Sequence, residues 1–60
     1  MKVFCFRVSG ELSDRAINAI SLDIADTLIR DEYGLTDFYG LREATDSEIL
    51  ELADSGSFMN

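Results

Sequence analysis

The sequence predicts a small α+β domain in which a sheet of two or three strands packs against one long helix, with a short second helix near the C-terminus. Three features lead to this fold class: an apolar run over residues 2–9, helical spacing of isoleucines after residue 16, and a capping sequence at residues 45–48. Sixty residues suffice for one domain, so we expect residues 1–60 to fold as a single unit.

The first element is predicted to be a strand over residues 2–9. Its β-branched and aromatic residues favour extended backbone, and Ser9-Gly10 is a typical strand end. Alternation places Phe4, Phe6 and Val8 on one face, which we expect to face the core.

A long helix is predicted to begin with Ser13 as its N-cap and to end near Tyr33, where Gly34 and Leu35 fit a Schellman motif. Its main apolar stripe, expected to lie on the phenylalanine face of the strand, is formed by Ile17, Ile20, Ile24 and Leu28. A second apolar line lies roughly 120° around the helix. It is formed by Leu22, Ala25 and Ile29, and we expect either the second helix or a second copy of the chain to cover it.

The second half of the chain predicts one or two short strands over residues 35–44, paired with the first strand. Thr45 and Glu48 match a capping box, which predicts a helix running to about Asp54 and ending at Ser55-Gly56. The predicted buried arc of this helix is Ile49, Leu50, Leu52 and Ala53. Phe58, in the tail, either frays or packs on the core.

The residue inventory argues against catalysis and against cofactors. The chain has no histidine and a single cysteine, Cys5, so the common general base, a Cys–His pair and a zinc site are all missing. No glycine-rich phosphate loop is present. We therefore expect a protein that is not an enzyme and binds no metal. The lone thiol and the lack of a signal or transmembrane pattern predict a cytoplasmic protein with no membrane contact.

The charge is confined to one half of the chain. The net charge is −7, and residues 31–60 carry eight acids against Arg42 alone, whereas residues 1–30 are neutral. Five cations among twelve acids cannot form the basic face that direct nucleic-acid binding requires.

The acids of the second half form a candidate binding surface for a basic protein. Glu48, Glu51 and Asp54 are spaced i, i+3, i+6 on the predicted helix, so we expect their carboxylates to form one exposed row that no cation interrupts. Like charges at this spacing destabilise a helix, which favours a binding role for these acids. The alternative is that they are solvent-exposed acids that only keep the protein soluble. The predicted partner-binding residues are Asp31, Glu32, Asp37, Tyr39, Glu43, Asp46, Glu48, Glu51 and Asp54. A basic nucleic-acid channel is the natural partner of such a surface, which makes mimicry of DNA the leading hypothesis.

The chain resembles the phage-encoded anti-CRISPR inhibitors in its size, its charge and its compact plan. That plan runs from Met-Lys-Val-Phe-Cys-Phe through Asp-Arg-Ala-Ile-Asn-Ala-Ile to Asp-Ser-Glu-Ile-Leu-Glu-Leu-Ala-Asp. The resemblance implies a non-catalytic inhibitor that binds a type I surveillance (Cascade) complex, with type I-C the suspected subtype, and blocks target DNA in the bacterial host cell.

Two other classes of protein remain open from the sequence. The first is an antitoxin that neutralises a basic nuclease, although residues 1–30 lack the basic segment that many antitoxins carry. The second is a homodimeric interaction module, in which Leu22, Ala25 and Ile29 would form the interface.

Overall fold

A computed structural model describes all 60 residues and has one sheet with helices on both of its faces. In chain order the elements are β1 (Lys2–Val8), β2 (Arg15–Ala19), α1 (Leu22–Thr27, continued by a π-helical turn over Leu28–Glu32), β3 (Phe38–Glu43) and α2 (Asp46–Asp54). The three strands are antiparallel and lie in the order β2-β1-β3. The predicted α+β class, with a sheet of two or three strands and a short second helix, is confirmed, and the sheet has three strands.

β1 is the central strand and is covered on both faces. Phe4 and Phe6 lie in a core cluster beneath α1, whereas Cys5 lies in a second cluster with Leu52 of α2. Phe4, Cys5 and Phe6 are consecutive and at most 3% exposed. A strand packed on both faces needs an unbroken apolar run, so the single core face predicted for it is only half of its buried surface.

The predicted helix from Ser13 to Tyr33 is wrong in its first half. The chain turns tightly at Gly10, whose φ of 89° suits the third position of a type II turn, and then forms β2. The N-cap of α1 is Ser21, whose hydroxyl accepts a hydrogen bond from the Ile24 amide. The helical segment therefore spans 11 residues and is not long.

Pairing with β1 explains why residues 15–19 are extended. As a strand they bury Ile17 and Ala19 against the α1 layer and Ala16 against the α2 layer, all at most 2% exposed. A helix would bury one stripe only. Because the apolar run is short, its spacing fits a helix and a buried strand equally well. Pairing with β1 therefore determines that these residues form a strand.

Each predicted apolar line of the helix reaches the core only in part, since Ile17 and Leu28 of the main stripe contact it and Leu22 of the second line does not. Ala25 and Ile29 are fully buried beneath the sheet, whereas Ile20 and Ile24 are 67% and 41% exposed. The predicted dimer interface through Leu22, Ala25 and Ile29 is therefore wrong, since two of its three residues belong to the intrachain core and only Leu22 stays accessible.

The end of the first helix lies where the sequence predicts it. Tyr33 is the C-cap, and Gly34 adopts a φ of 67°. The Leu35 amide donates to the Ile29 carbonyl at 3.0 Å, one residue farther back than in a Schellman motif, because the last turn is π-helical.

The second half of the chain also follows its prediction. β3 pairs with β1 and contains a bulge, in which Gly40 adopts a φ of 72°. Thr45 and Glu48 form the predicted capping box at the start of α2. Phe58 is half-buried and forms an isolated parallel bridge with Ala16. Neither helical segment has the length and apolar character needed to cross a lipid bilayer.

The opposite burial of Ile29 and Ile24 is testable with two matched substitutions. Ile29→Val removes a fully buried methyl group and should lower the free energy of unfolding by about 0.5–1.5 kcal/mol. Ile24→Val removes the same group from an exposed side chain and should change it by less than about 0.5 kcal/mol. Urea unfolding followed by circular dichroism measures both. A larger loss of unfolding free energy for Ile24→Val than for Ile29→Val would instead support the buried stripe that the sequence predicts.

Candidate acidic interaction surface

Every cation of the chain is held in an intrachain ion pair. The five pairs are Lys2–Glu43, Arg7–Asp14, Arg15–Glu11, Arg30–Asp26 and Arg42–Glu48. Seven of the twelve carboxylates are left with no cationic partner, which accounts for the net charge of −7. These unpaired carboxylates are Asp23, Asp31, Glu32, Asp37, Asp46, Glu51 and Asp54.

The structure divides the unpaired carboxylates between the two faces of the sheet. Asp31 and Glu32 are exposed on the π-helical turn in the α1 layer, whereas Asp46, Glu51 and Asp54 are exposed on α2, on the opposite face. Asp37 precedes β3, and its carboxylate accepts a hydrogen bond from the Ser9 hydroxyl at 2.8 Å. The predicted acids therefore do not form one patch, and α2 carries the largest group of them.

Two of the predicted partner-binding acids are neutralised within the chain. Glu48 makes a bidentate contact with the Arg42 guanidinium, with one of its two hydrogen bonds at 2.8 Å, and also accepts from the Thr45 amide. Glu43 pairs with Lys2 at 3.7 Å. The prediction that no cation interrupts the acidic row was wrong, because Arg42 reaches it from the neighbouring strand.

Glu48 therefore has a structural role. The hydrogen bonds from the Arg42 side chain, followed by the bond from the Thr45 backbone, lower the pKa of the Glu48 carboxyl from 4.5 to about 2. The same pair raises the pKa of the Arg42 guanidinium. The ion pair ties the start of α2 to β3, since Arg42 belongs to that strand.

The outward face of α2 combines carboxylates with one exposed leucine. Asp46, Leu50 and Asp54 follow one another at i, i+4 and i+8, so they form a single row along the helix. Leu50 is 74% exposed between the two aspartates, and Glu51 lies beside them. We call these four residues the α2 acidic face.

The buried arc predicted for α2 was half wrong. Ile49 and Leu52 pack on the sheet, whereas Leu50 and Ala53 are exposed. The sequence does contain the signal for this result, because Leu50 and Leu52 lie about 200° apart around a helix, so one sheet cannot bury both.

The charges at the C-terminal end of α2 do not serve the stability of the helix. Asp46 lies in the first turn, where the helix dipole favours an anion. Glu51 and Asp54 lie at the other end, where the dipole disfavours anions, and the last turn holds no basic residue. Each such placement costs about 0.3–1 kcal/mol at low ionic strength.

Tyr39 is 57% exposed on β3, opposite Arg7 and on the sheet face that α2 covers. Phe38 instead packs edge-to-face on Phe6. The Arg30 guanidinium lies over the Phe38 ring, with its central carbon 4.8 Å from the ring centroid.

The one thiol of the chain is buried, and burial raises the pKa of Cys5. No group of three Cys, Asp or Glu side chains is arranged to hold a metal ion.

No protein-family model, curated protein or solved structure matches this chain.

The Arg42–Glu48 pair makes a prediction about acid stability. Because folding lowers the Glu48 pKa from 4.5 to about 2, the pair stabilises the fold fully above pH 4.5 and loses that contribution as the pH falls toward 2. Glu48→Gln should therefore be less stable than the unmodified chain at pH 7, and the difference should vanish near pH 2. Urea unfolding of both proteins from pH 7 to pH 2 measures it. A difference that does not change with pH would refute this role.

Proposed function

We propose that this chain is a non-catalytic binding protein whose α2 acidic face engages a basic, nucleic-acid-binding protein. The observation that carries the proposal is the set of unpaired carboxylates: all cations are used inside the chain, and three of the seven remaining anions surround one exposed leucine on α2.

The composition of this face supports binding over mere solubility. Glu51 and Asp54 lower the stability of the helix that carries them, and an exposed leucine contributes nothing to solubility. An apolar anchor ringed by like charges is instead suited to a basic groove, where the field steers association and the leucine excludes water.

The class of partner follows from the sign and density of the charge. Proteins that hold DNA present rows of Lys and Arg to a polyanion with one charge per about 1.7 Å. The carboxylates of the α2 acidic face compete for those cations, so binding weakens as the salt concentration rises. The partner is thus a protein that binds nucleic acid, and the chain itself does not bind nucleic acid.

The resemblance to anti-CRISPR inhibitors narrows the proposal. The partner is then a type I surveillance complex, with type I-C the subtype to test first, and the chain occupies the surface that receives target DNA in the bacterial cytoplasm. Asp31, Glu32 and Asp37 contribute to the long-range field in this scheme, whereas the α2 acidic face makes the contact.

The charge contribution is tested by a triple substitution and a matched control. Asp46→Asn, Glu51→Gln and Asp54→Asn together should weaken binding to the purified type I-C complex about tenfold to a hundredfold, mainly through slower association. The control, Asp23→Asn with Asp31→Asn and Glu32→Gln, removes the same charge from the α1 layer and should have a smaller effect. Surface plasmon resonance at several salt concentrations measures both.

The outcomes separate the alternatives. Binding that competes with target DNA, weakens with salt and depends on α2 supports the proposal. Equal losses in the two triple variants would overturn the assignment to α2. If the type I-C complex is not bound and a purified basic nuclease toxin is, the anti-CRISPR assignment fails and the chain acts as an antitoxin.

The apolar anchor is tested separately. Leu50→Ser should leave the free energy of unfolding within about 0.5 kcal/mol, because the side chain is already exposed, yet weaken binding about tenfold or more. Ile20→Ser, at a side chain 67% exposed between β2 and α1, is the control and should change neither quantity. Unchanged binding of Leu50→Ser would show that charge alone carries the contact.

A further inference from the structure

The sheet has two outer edges, and the chain covers only one of them. Along β2, the Ala16 amide donates to the Ser57 carbonyl at 3.0 Å, and the Met59 amide donates to the Ala16 carbonyl at 2.9 Å. The Asn60 side chain bonds both the amide and the carbonyl of Asn18. The C-terminal tail thus satisfies the backbone groups that β2 turns away from β1.

The outer edge of β3 has no such cover. At its two ends the ladder to β1 includes the bonds from Ala44 to Val3 and from Ser9 to Asp37. Ladder bonds alternate along an antiparallel pair, so the next residues inward, Glu43 and Phe38, turn their N–H and C=O groups away from β1. No hydrogen bond within the chain reaches those outward groups.

We propose that the open edge of β3 receives an extended, basic segment of the partner protein as an added strand. Main-chain hydrogen bonds at Phe38 and Glu43 would hold it, in the manner of strand addition at other sheet edges. This inference rests on the proposed function, because it takes the basic character of the partner from it.

The charges at the ends of β3 select this occupant. Asp37 directly precedes the strand and Asp46 follows it closely, and neither carboxylate has a cationic partner, whereas Arg42 and Lys2 are already neutralised. A segment with Lys or Arg near each end places its cations against these carboxylates.

A second copy of the chain fits this edge poorly. In an antiparallel pair of β3 strands, the Asp37 end of one copy meets the Asp46 end of the other, and in a parallel pair identical aspartates meet. Both alignments oppose like charges between chains that each carry −7. The bulge at Gly40 also twists the strand, which disfavours flat pairing of identical edges.

Backbone N-methylation tests the edge without changing any side chain, and a 60-residue chain is accessible to chemical synthesis. N-methyl-Glu43 removes one outward donor and blocks the edge, so binding to the purified type I-C complex should weaken about tenfold or more. N-methyl-Leu12 is the control, because this exposed amide makes no hydrogen bond in the chain, and its binding should stay within about twofold. Circular dichroism confirms that both fold.

Hydrogen exchange provides a second readout. The Phe38 and Glu43 amides should exchange fast in the free protein and become protected in the complex, whereas Tyr39 and Arg42, paired with β1, should be protected in both states. If the chain binds the complex but N-methyl-Glu43 binds normally and neither outward amide gains protection, strand addition is overturned and the proposed function stands. If the unmodified chain binds neither the complex nor any basic nuclease tested, both fail.

Discussion

β1 is a stable central strand only when both its faces and both its edges are covered, and a chain of sixty residues must supply all four covers. α1 and its π-helical turn cover the face of Phe4 and Phe6, α2 covers the face of Cys5, and the other two strands pair with its edges. Small domains bury only about 60% of the surface that their unfolded chains expose. Each short element therefore uses its apolar residues to pack on β1 or to pair with it. Few apolar residues remain for the outer surface of α2.

The ion pairs also hold the short elements of this small domain together. Arg7–Asp14 closes the first hairpin, Lys2–Glu43 joins two strands, and Arg42–Glu48 joins β3 to α2. Since each of the five cations joins two parts of the chain, the excess negative charge is left on surfaces whose carboxylates have no cationic partner. The α2 acidic face and the open edge of β3 are both such surfaces, and a basic partner would satisfy both.

Elements with strong local signals could be predicted from the sequence, and those decided by tertiary pairing could not. The capping box at Thr45 and the glycine after Tyr33 fix helix ends through nearby backbone hydrogen bonds, so both were predicted correctly. Residues 15–19 are extended because β1 and the tail pair with them, which no local pattern records. Likewise the excess of acids was visible in composition, whereas the capture of Glu48 by Arg42, which leaves Asp46, Glu51 and Asp54 unpaired on α2, depends on the fold.

The proposed function requires that the carboxylates of α2 contact cations of a nucleic-acid-binding partner. Zero-length carbodiimide cross-linking of the chain to a purified type I-C surveillance complex, followed by mass spectrometry, tests it most directly, because the reagent joins only carboxylates and amines in contact. We expect Asp46, Glu51 and Asp54 to become linked to lysines of the complex, and target DNA to prevent the links. Links confined to Asp23, Asp31 and Glu32, or links that persist when DNA is bound, would contradict it.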